Sequence, residues 1–287
     1  MSELIELDTV EVFASGLPHP EGVVFDRDGN CYTGISYSDH ESGGPVMRIT
    51  PDGSNAEELA NTGGRILGIA IGSDGDLYGC DGKLGAVFRI SSDGRVSSFL
   101  DSVPRWSLMM PNFGVFDSDG TFYVSDSGTA TAGEKSGAIL RVSRSGRAEV
   151  LVDGLIFANG LALDEDQGAL YVVETRDDRV LRVDLESAQA NTDVYAENLS
   201  SGPDGLALDS EGVLWATATR GSRLYAISDR ENVRMGVEDA EDRLLHMPSN
   251  LAFSPDGSPV AYVANLFGQH ISRVPMPASG RPLAHLH

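Results

Sequence analysis

The sequence predicts an all-β chain folded as a six-bladed β-propeller of four-stranded antiparallel blades, closed by its own N-terminal strand. Three observations carry this reading. An aromatic residue follows an acidic or glycine-rich turn six times, at Tyr32, Tyr78, Tyr123, Tyr171, Trp215 and Tyr262, at intervals of 44 to 48 residues, the signature of one supersecondary unit copied along the chain. Within each period the same order of segments recurs: apolar run, tight turn, aromatic strand, arginine-bearing strand, polar strand. Residues 11–17 (EVFASGL) match residues 149–155 (EVLVDGL), so the chain begins with what is elsewhere a fourth strand.

Each strand has its own justification. The first is a continuous apolar run, as in Gly22-Val23-Val24-Phe25, Gly68-Ile69-Ala70-Ile71, Gly160-Leu161-Ala162-Leu163 and Gly205-Leu206-Ala207-Leu208, which marks a strand buried on both faces and hence innermost. A hairpin turn follows at Asp28-Gly29, Asp74-Gly75, Asp119-Gly120, Gln167-Gly168, Glu211-Gly212 and Asp256-Gly257, where glycine supplies a positive φ. The second strand bears the aromatic residue. The third alternates apolar side chains with a solvated arginine, in Met47-Arg48-Ile49, Phe88-Arg89-Ile90, Leu140-Arg141-Val142, Leu181-Arg182-Val183 and Ile271-Ser272-Arg273-Val274. The fourth is more polar, as at 147–152 and 193–196, and suits an outer edge. After the third strand of the last repeat only a proline-containing tail at 277–287 remains, so the sixth blade lacks an outer strand and the N-terminus supplies it. That shared blade locks the ring and hides its edges. A single domain over 1–287 is expected.

Composition narrows the function. A formal charge of -22 repels phosphate backbones and anionic lipid, which excludes nucleic acid and membrane as expected partners. Residues 1–9 show no basic region or long apolar run, so no secretory signal is expected, and no apolar stretch is long enough for a bilayer. Cys31 and Cys80 fall in predicted strands one repeat apart and read as small buried thiols, consistent with a reducing cytoplasm.

Aligning the repeats on their turns places Glu21, Leu67, Asn112, Asn159, Asp204 and Ser249 at the start of the six inner strands, spaced by 46, 45, 47, 45 and 45 residues. In a propeller these positions converge on the axis. Two carboxylates and two amides in one narrow channel call for a positive partner. All the donors are oxygens, with no His or Cys among them, which favours a hard divalent ion, Ca2+ ahead of Mg2+ or Mn2+, and disfavours zinc. Taken singly, Asn159-Gly160 or Asp204-Gly205 reads as a turn; the sixfold column is what lifts them out of that class. The segment Asp26-Arg27-Asp28-Gly29-Asn30 faintly resembles a calcium loop, but its copies in the other repeats mark it as a hairpin turn.

His19-Pro20-Glu21, Pro111-Asn112, Phe157-Ala158-Asn159-Gly160 and Pro203-Asp204-Gly205-Leu206-Ala207 resemble the metal-binding motifs of the gluconolactonase, senescence marker protein and luciferin-regenerating enzyme superfamily. Diisopropyl fluorophosphatase and the paraoxonases are similar calcium propellers. The resemblance covers residues 10 to 276 and implies a catalytic divalent metal held by Glu21, Asn112, Asn159 and Asp204. It also implies that Asp204 acts as base or nucleophile. Ser249 stands beyond the ligands. One departure matters: sugar-lactone members carry an Arg-x-Asn-Asp-Gly segment whose arginine helps hold a polar substrate, where this chain has Met110-Pro111-Asn112-Phe113-Gly114.

Loops on the ligand face are instead apolar and aromatic. They carry Trp106, Leu108, Met109, Met110 and Phe113 before and beside Asn112, Phe157 before Asn159, His246 and Met247 before Ser249, and Phe267 and His270 in the last blade. Any one of these can simply pack a loop; together, above a polar metal, they suggest a pocket for a small molecule less polar than a sugar lactone. The expected function is a lactonase-like carboxylic ester hydrolase, in which the cation polarises the carbonyl and Asp204 is general base or nucleophile. His19 is either its proton shuttle or a solvated loop residue. Asp126 and Glu174 either line the rim or end their loops in solvent. Phosphotriester or other ring-cleaving hydrolysis at the same metal, and a binding propeller without turnover, are the alternatives.

Overall fold

In the computed structural model, which describes residues 5–36, 43–129, 131, 133–187, 190–199 and 201–282, six four-stranded antiparallel sheets follow one another along the chain. The inner strands are Pro20–Phe25, Ile66–Ile71, Pro111–Phe116, Ala158–Asp164, Pro203–Leu208 and Pro248–Phe253, and each contacts the next in a closed ring. The fold is the expected six-bladed propeller. All six hairpin glycines adopt the left-handed region, with φ from +53° at Gly168 to +83° at Gly29. At the segment that resembled a calcium loop, Asp26 Oδ1 accepts the backbone N–H groups of Asp28 and Asn30, both at 2.9 Å, so this carboxylate closes the turn.

Packing explains the repeated aromatic. Buried side chains among the described residues fall into six clusters, one in each gap between neighbouring blades. Each member of the aromatic column fills the gap toward the following blade, and Trp215, 1% exposed, is the largest fully buried side chain. The polar tips stay satisfied: the Tyr32 and Tyr78 hydroxyls donate to Asp26 (2.8 Å) and Asp74 (3.1 Å), and Trp215 Nε1 donates to Asp209 (2.9 Å). An aromatic with one polar end therefore joins a core to a turn at a single position. Cys31 and Cys80 are free, buried thiols in these clusters, and burial pushes both far up from the ordinary thiol range.

Closure follows the match between residues 11–17 and 149–155. The strand Glu11–Ser15 lies antiparallel on His270–Pro275, with Glu11 opposite Arg273, as Glu149 lies opposite Arg141 in the third blade. Both glutamates pair with the arginine they face, Glu11 at 3.6 Å. Phe13 then places its ring 4.8 Å from that of Tyr262, in the gap between the last and first blades. Beyond the third strand of the last blade, the tail is laid across the ends of the inner strands opposite the column. There Gly280 bridges Asp209 and Arg281 pairs with Asp164; residues 283–287 lie outside the described chain. No helix among the described residues is long and apolar enough to cross a membrane.

Deleting residues 1–15 removes the Phe13 contact and exposes the ladder edge of His270–Pro275. The truncated protein is expected to melt lower by about 10 °C or more and to associate, read by calorimetry and light scattering. An unchanged melting temperature would show that the ring does not need this strand.

Candidate active site on the propeller axis

The column residues reach the axis through a shared irregularity. In every blade the pairing of the first and second strands shifts register just after the strand begins, between Pro20 and Val23, Ile66 and Ile69, Pro111 and Phe113, Ala158 and Leu161, Pro203 and Leu206, and Pro248 and Asn250. Glu21, Leu67, Asn112, Asn159, Asp204 and Ser249 all sit inside these bulges, which re-aim a side chain out of the sheet. The glycine that follows four of them is not a turn residue. A Cβ on Gly160 would stand 2.3 Å from the Asp204 carbonyl oxygen, one on Gly22 2.7 Å from that of Leu67, and one on Gly205 2.7 Å from Asn250 Cα. Glycine is required there because neighbouring inner strands touch backbone to backbone.

Glu21, Asn159 and Asp204 are brought together. Asp204 is 7% exposed; burial first, then the negative charge of Glu21, raise its carboxyl well above the usual carboxylate range, while a hydrogen bond from the Asn159 side chain opposes the shift. Glu21 is half-buried. Burial raises its carboxyl too, countered by a hydrogen bond from Ser36 and by the charge of Arg65. Asn112 is buried, and its Nδ2 donates to Ser127 Oγ at 2.9 Å, which in turn donates to the Ala158 carbonyl at 2.7 Å. Ser249 donates to the Glu21 carbonyl at 3.1 Å, so it props the backbone of the neighbouring blade.

Two neighbouring carboxyls with an amide side chain bonded to one of them fit a hard divalent cation, since each carboxylate makes ionisation of the other harder until positive charge is supplied. Among the described residues no three His, Cys, Asp or Glu side chains form a metal cluster, so Asn112 and Asn159 must complete any such ligand set. Ser36, Ser127 and Thr175, which hydrogen-bond Glu21, Asn112 and Asn159, escaped the sequence reading. Their signal was there: a hydroxyl directly follows the second strand in four blades, at Ser36, Ser127, Thr175 and Thr219.

Above the column stands a second ring. The carbonyls of His19, Arg65, Met110, Phe157, Gly202 and Met247, each two residues before its column member, accept from Ser36, Gly82, Ser127, Thr175, Thr219 and Leu266 at 2.9 to 3.3 Å. His19, Phe157, Gly202 and Met247 all hold φ between +52° and +64°; for the three with side chains this is a strained conformation. His19 meets Phe267 edge-on, ring centroids 5.1 Å apart, and His246 lies 6.2 Å from the same ring. Phe267 is 51% exposed. The Arg176 guanidinium lies 4.7 Å from the Phe157 ring centroid. A Cβ on Gly82 would meet both Leu67 and Met110, so those two form an apolar side of the channel.

Other loop residues lie elsewhere. Trp106 donates through Nε1 to Asp126 Oδ2 at 2.8 Å and packs into the gap between the second and third blades with Leu108. Phe113 belongs to the core between the third and fourth blades. His270 is buried with its ring nitrogens 2.7 and 3.0 Å from the carbonyl oxygens of Gly268 and Leu244. Asp126 and Glu174 are buried at the ends of their strands, where Asp126 accepts the Met109 and Met110 N–H groups and Glu174 accepts that of Ile156 and pairs with Arg179. Both are clamps for the loops that carry the column, not rim residues or solvated loop ends.

Residues 54–254 match the model of the SMP-30/Gluconolactonase/LRE-like region. The chain belongs to this family. Among its relatives, Protein STRICTOSIDINE SYNTHASE-LIKE 9 of Arabidopsis thaliana is 32% identical over 173 residues, covering 55% of this chain and 46% of that protein, so less than half of its length is matched. Lactonase drp35 of Staphylococcus saprophyticus is 26% identical over 219 residues, 72% of this chain and 65% of that one. The crystal structure of regucalcin from Agrobacterium tumefaciens, described as a calcium-binding protein, superposes with a TM-score of 0.75 over 95% of this chain and 96% of its own, at 18% identity; at that identity the likeness is one of fold.

Asp204 offers a test of the electrostatics. Its carboxyl is raised in the folded state, so its contribution to stability is complete below its unfolded value and is lost as pH rises through the folded one. In chelator-treated protein, Asp204→Asn is therefore expected to melt above wild type at pH 8, with the gap closing as pH falls. A gap that widens toward acid would show that this carboxylate is not destabilised by its surroundings.

Proposed function

We propose that this protein hydrolyses lactones or related cyclic esters, using a divalent cation, Ca2+ first and Mg2+ or Mn2+ after it, held by Glu21, Asn112, Asn159 and Asp204. The observation that carries the reading is the mutually destabilising pair Glu21 and Asp204 on the axis, with the Asn159 side chain bonded to Asp204. The family supports an ester-hydrolysing reaction through its lactonase relative, and a calcium-binding protein of the same fold supports the ion. The chemistry such an ion supplies when bound is polarisation of the ester carbonyl and stabilisation of the oxyanion that develops.

The chain's own residues do the rest. Asp204 takes a proton from the attacking water through its carboxylate. Desolvation and Glu21 raise its proton affinity, and a bound cation would lower it again. Asn159 fixes the orientation of that carboxylate, and Ser127 and Thr175 fix the amides. His19, on its strained bend two residues before Glu21, passes protons at the mouth. Met110, Phe157, Met247 and Phe267 give the mouth an apolar lining and exclude water, which suits a small-molecule substrate less polar than a sugar lactone. Buried free thiols and an acidic surface accord with work in a reducing cytoplasm.

A second reading is favoured by the relative at 32% identity, whose name is synthase-like: another bond-making or bond-breaking reaction of a cyclic substrate on the same axis. A substrate panel separates them. Turnover of dihydrocoumarin is expected to exceed that of glucono-δ-lactone, to vanish on chelation and to return with Ca2+. Asp204→Asn is expected to lower kcat by about 100-fold or more. Full turnover of every accepted lactone after chelation would overturn the metal-dependent reading.

A further inference from the structure

Arg65 is the upper-ring residue with a permanent charge, and its surroundings set it apart from the other arginines. Arg48, Arg89, Arg141, Arg223 and Arg273 each pair with a carboxylate on a neighbouring strand or turn. Arg65 joins no such pair among the described residues, and its Nε is a buried donor without a hydrogen-bond partner. Its backbone, by contrast, is fixed at both ends: the N–H donates to Asp81 Oδ1 at 2.9 Å and the carbonyl accepts from Gly82 at 2.9 Å. Loop wandering does not explain a buried, unpartnered guanidinium nitrogen on a pinned backbone, and such a group calls for a water, an ion or a ligand.

Its place in the ring says what kind. Leu67, two residues on, is the column member without an oxygen, so blade two offers nothing to a cation and leaves an apolar surface, shared with Met110, on which a substrate can rest. A divalent ion would offset Glu21 and Asp204, and the nearby Asp81 carboxylate is taken up by Thr62 and by the backbone N–H groups of Arg65, Lys83 and Leu84, which leaves the guanidinium of Arg65 without a carboxylate of its own among the described residues. We propose that Arg65 binds an anionic oxygen group of the substrate, so that the preferred cyclic esters carry one carboxylate on a frame otherwise less polar than a sugar's. A planar guanidinium matches a carboxylate with two parallel N–H donors, and does so best beside apolar walls that keep water away. The inference rests on the lactone-hydrolase reading for its reaction and on the channel's charge alone for its binding.

Calorimetric titration of Ca2+-loaded protein with phenylpropionate and with its neutral amide, phenylpropanamide, tests the binding. Wild type is expected to take the acid more tightly than the amide. Arg65→Met is expected to weaken the acid by about 10-fold or more and leave the amide unmoved, and Arg65→Lys to fall between, since charge is kept and the fork lost. For lactones that turn over, KM of a carboxylate-bearing lactone should rise in Arg65→Met by about 10-fold more than KM of an unsubstituted lactone. Equal binding of acid and amide by wild type, or equal loss of both in Arg65→Met, overturns the proposal. So does unchanged acid binding with loss of thermal stability in EDTA, which would make Arg65 only a counter-ion to Glu21. Failure of every lactone to react would sink the hydrolase reading, while the titration still decides the role of Arg65.

Discussion

The close approach of the inner strands around the axis is the constraint on which the rest of the molecule depends. At Gly22, Gly68, Gly160 and Gly205 a single added methyl group would lie 2.7 Å or less from backbone or ring atoms of the next blade, so four of the six inner strands approach their neighbours this closely because a side chain is missing. Each inner strand meets this by a bulge, and the bulge turns the preceding residue toward the channel. Four of the six residues so displayed carry carboxylate or amide groups. The geometry that closes the propeller is thus the same geometry that concentrates oxygen donors, and the site cannot be separated from the scaffold.

That concentration has an electrostatic cost which the surrounding residues reduce but do not remove. Ser36 and Arg65 favour the ionised form of Glu21, and Asn159 favours that of Asp204, yet for both carboxyls burial wins. Desolvation of a charge in a narrow, protein-walled space outweighs one or two hydrogen bonds. A channel left in this state stores an affinity for positive charge. The hydroxyls behind the amides matter for the same reason, because Ser127 and Thr175 engage the nitrogen ends of Asn112 and Asn159 and leave oxygen as the end that can face a cation.

Much of this was legible from residue spacing, and the parts that were not share a cause. The aromatic period, the glycine turns and the equivalence of residues 11–17 with 149–155 depend on repetition, which a linear sequence displays directly, down to the matching of Glu11–Arg273 with Glu149–Arg141. What escaped depends on contacts between elements. Asn159-Gly160 reads as a turn in isolation because its glycine answers to a neighbouring blade and not to its own φ. The direction of a side chain within a loop is equally invisible: Trp106 and Met110 lie four residues apart, yet one is drawn down by Asp126 into the core between blades and the other stands beside Leu67. Asp126 and Glu174 took their meaning from the backbone N–H groups they cap, which no local pattern announces.

The two stacked rings divide the labour of the site. In the lower ring every position is set by a bulge and four of them also by a glycine's near-contact with the next blade. In the upper ring the constraint is a single backbone hydrogen bond, the same in all six blades, which holds the carbonyl and leaves the side chain free to vary. A histidine, an arginine, a glycine, a phenylalanine and two methionines occupy it here. The tether fixes the backbone in the same way in every blade and places no demand on the side chain. The sugar-lactone pattern puts arginine over the third blade; this chain has Met110 there and Arg65 over the second. The charge of Arg65 reaches Glu21 from the second blade, so a change of residue in the upper ring alters the electrostatics of the lower one while the backbone tether stays the same.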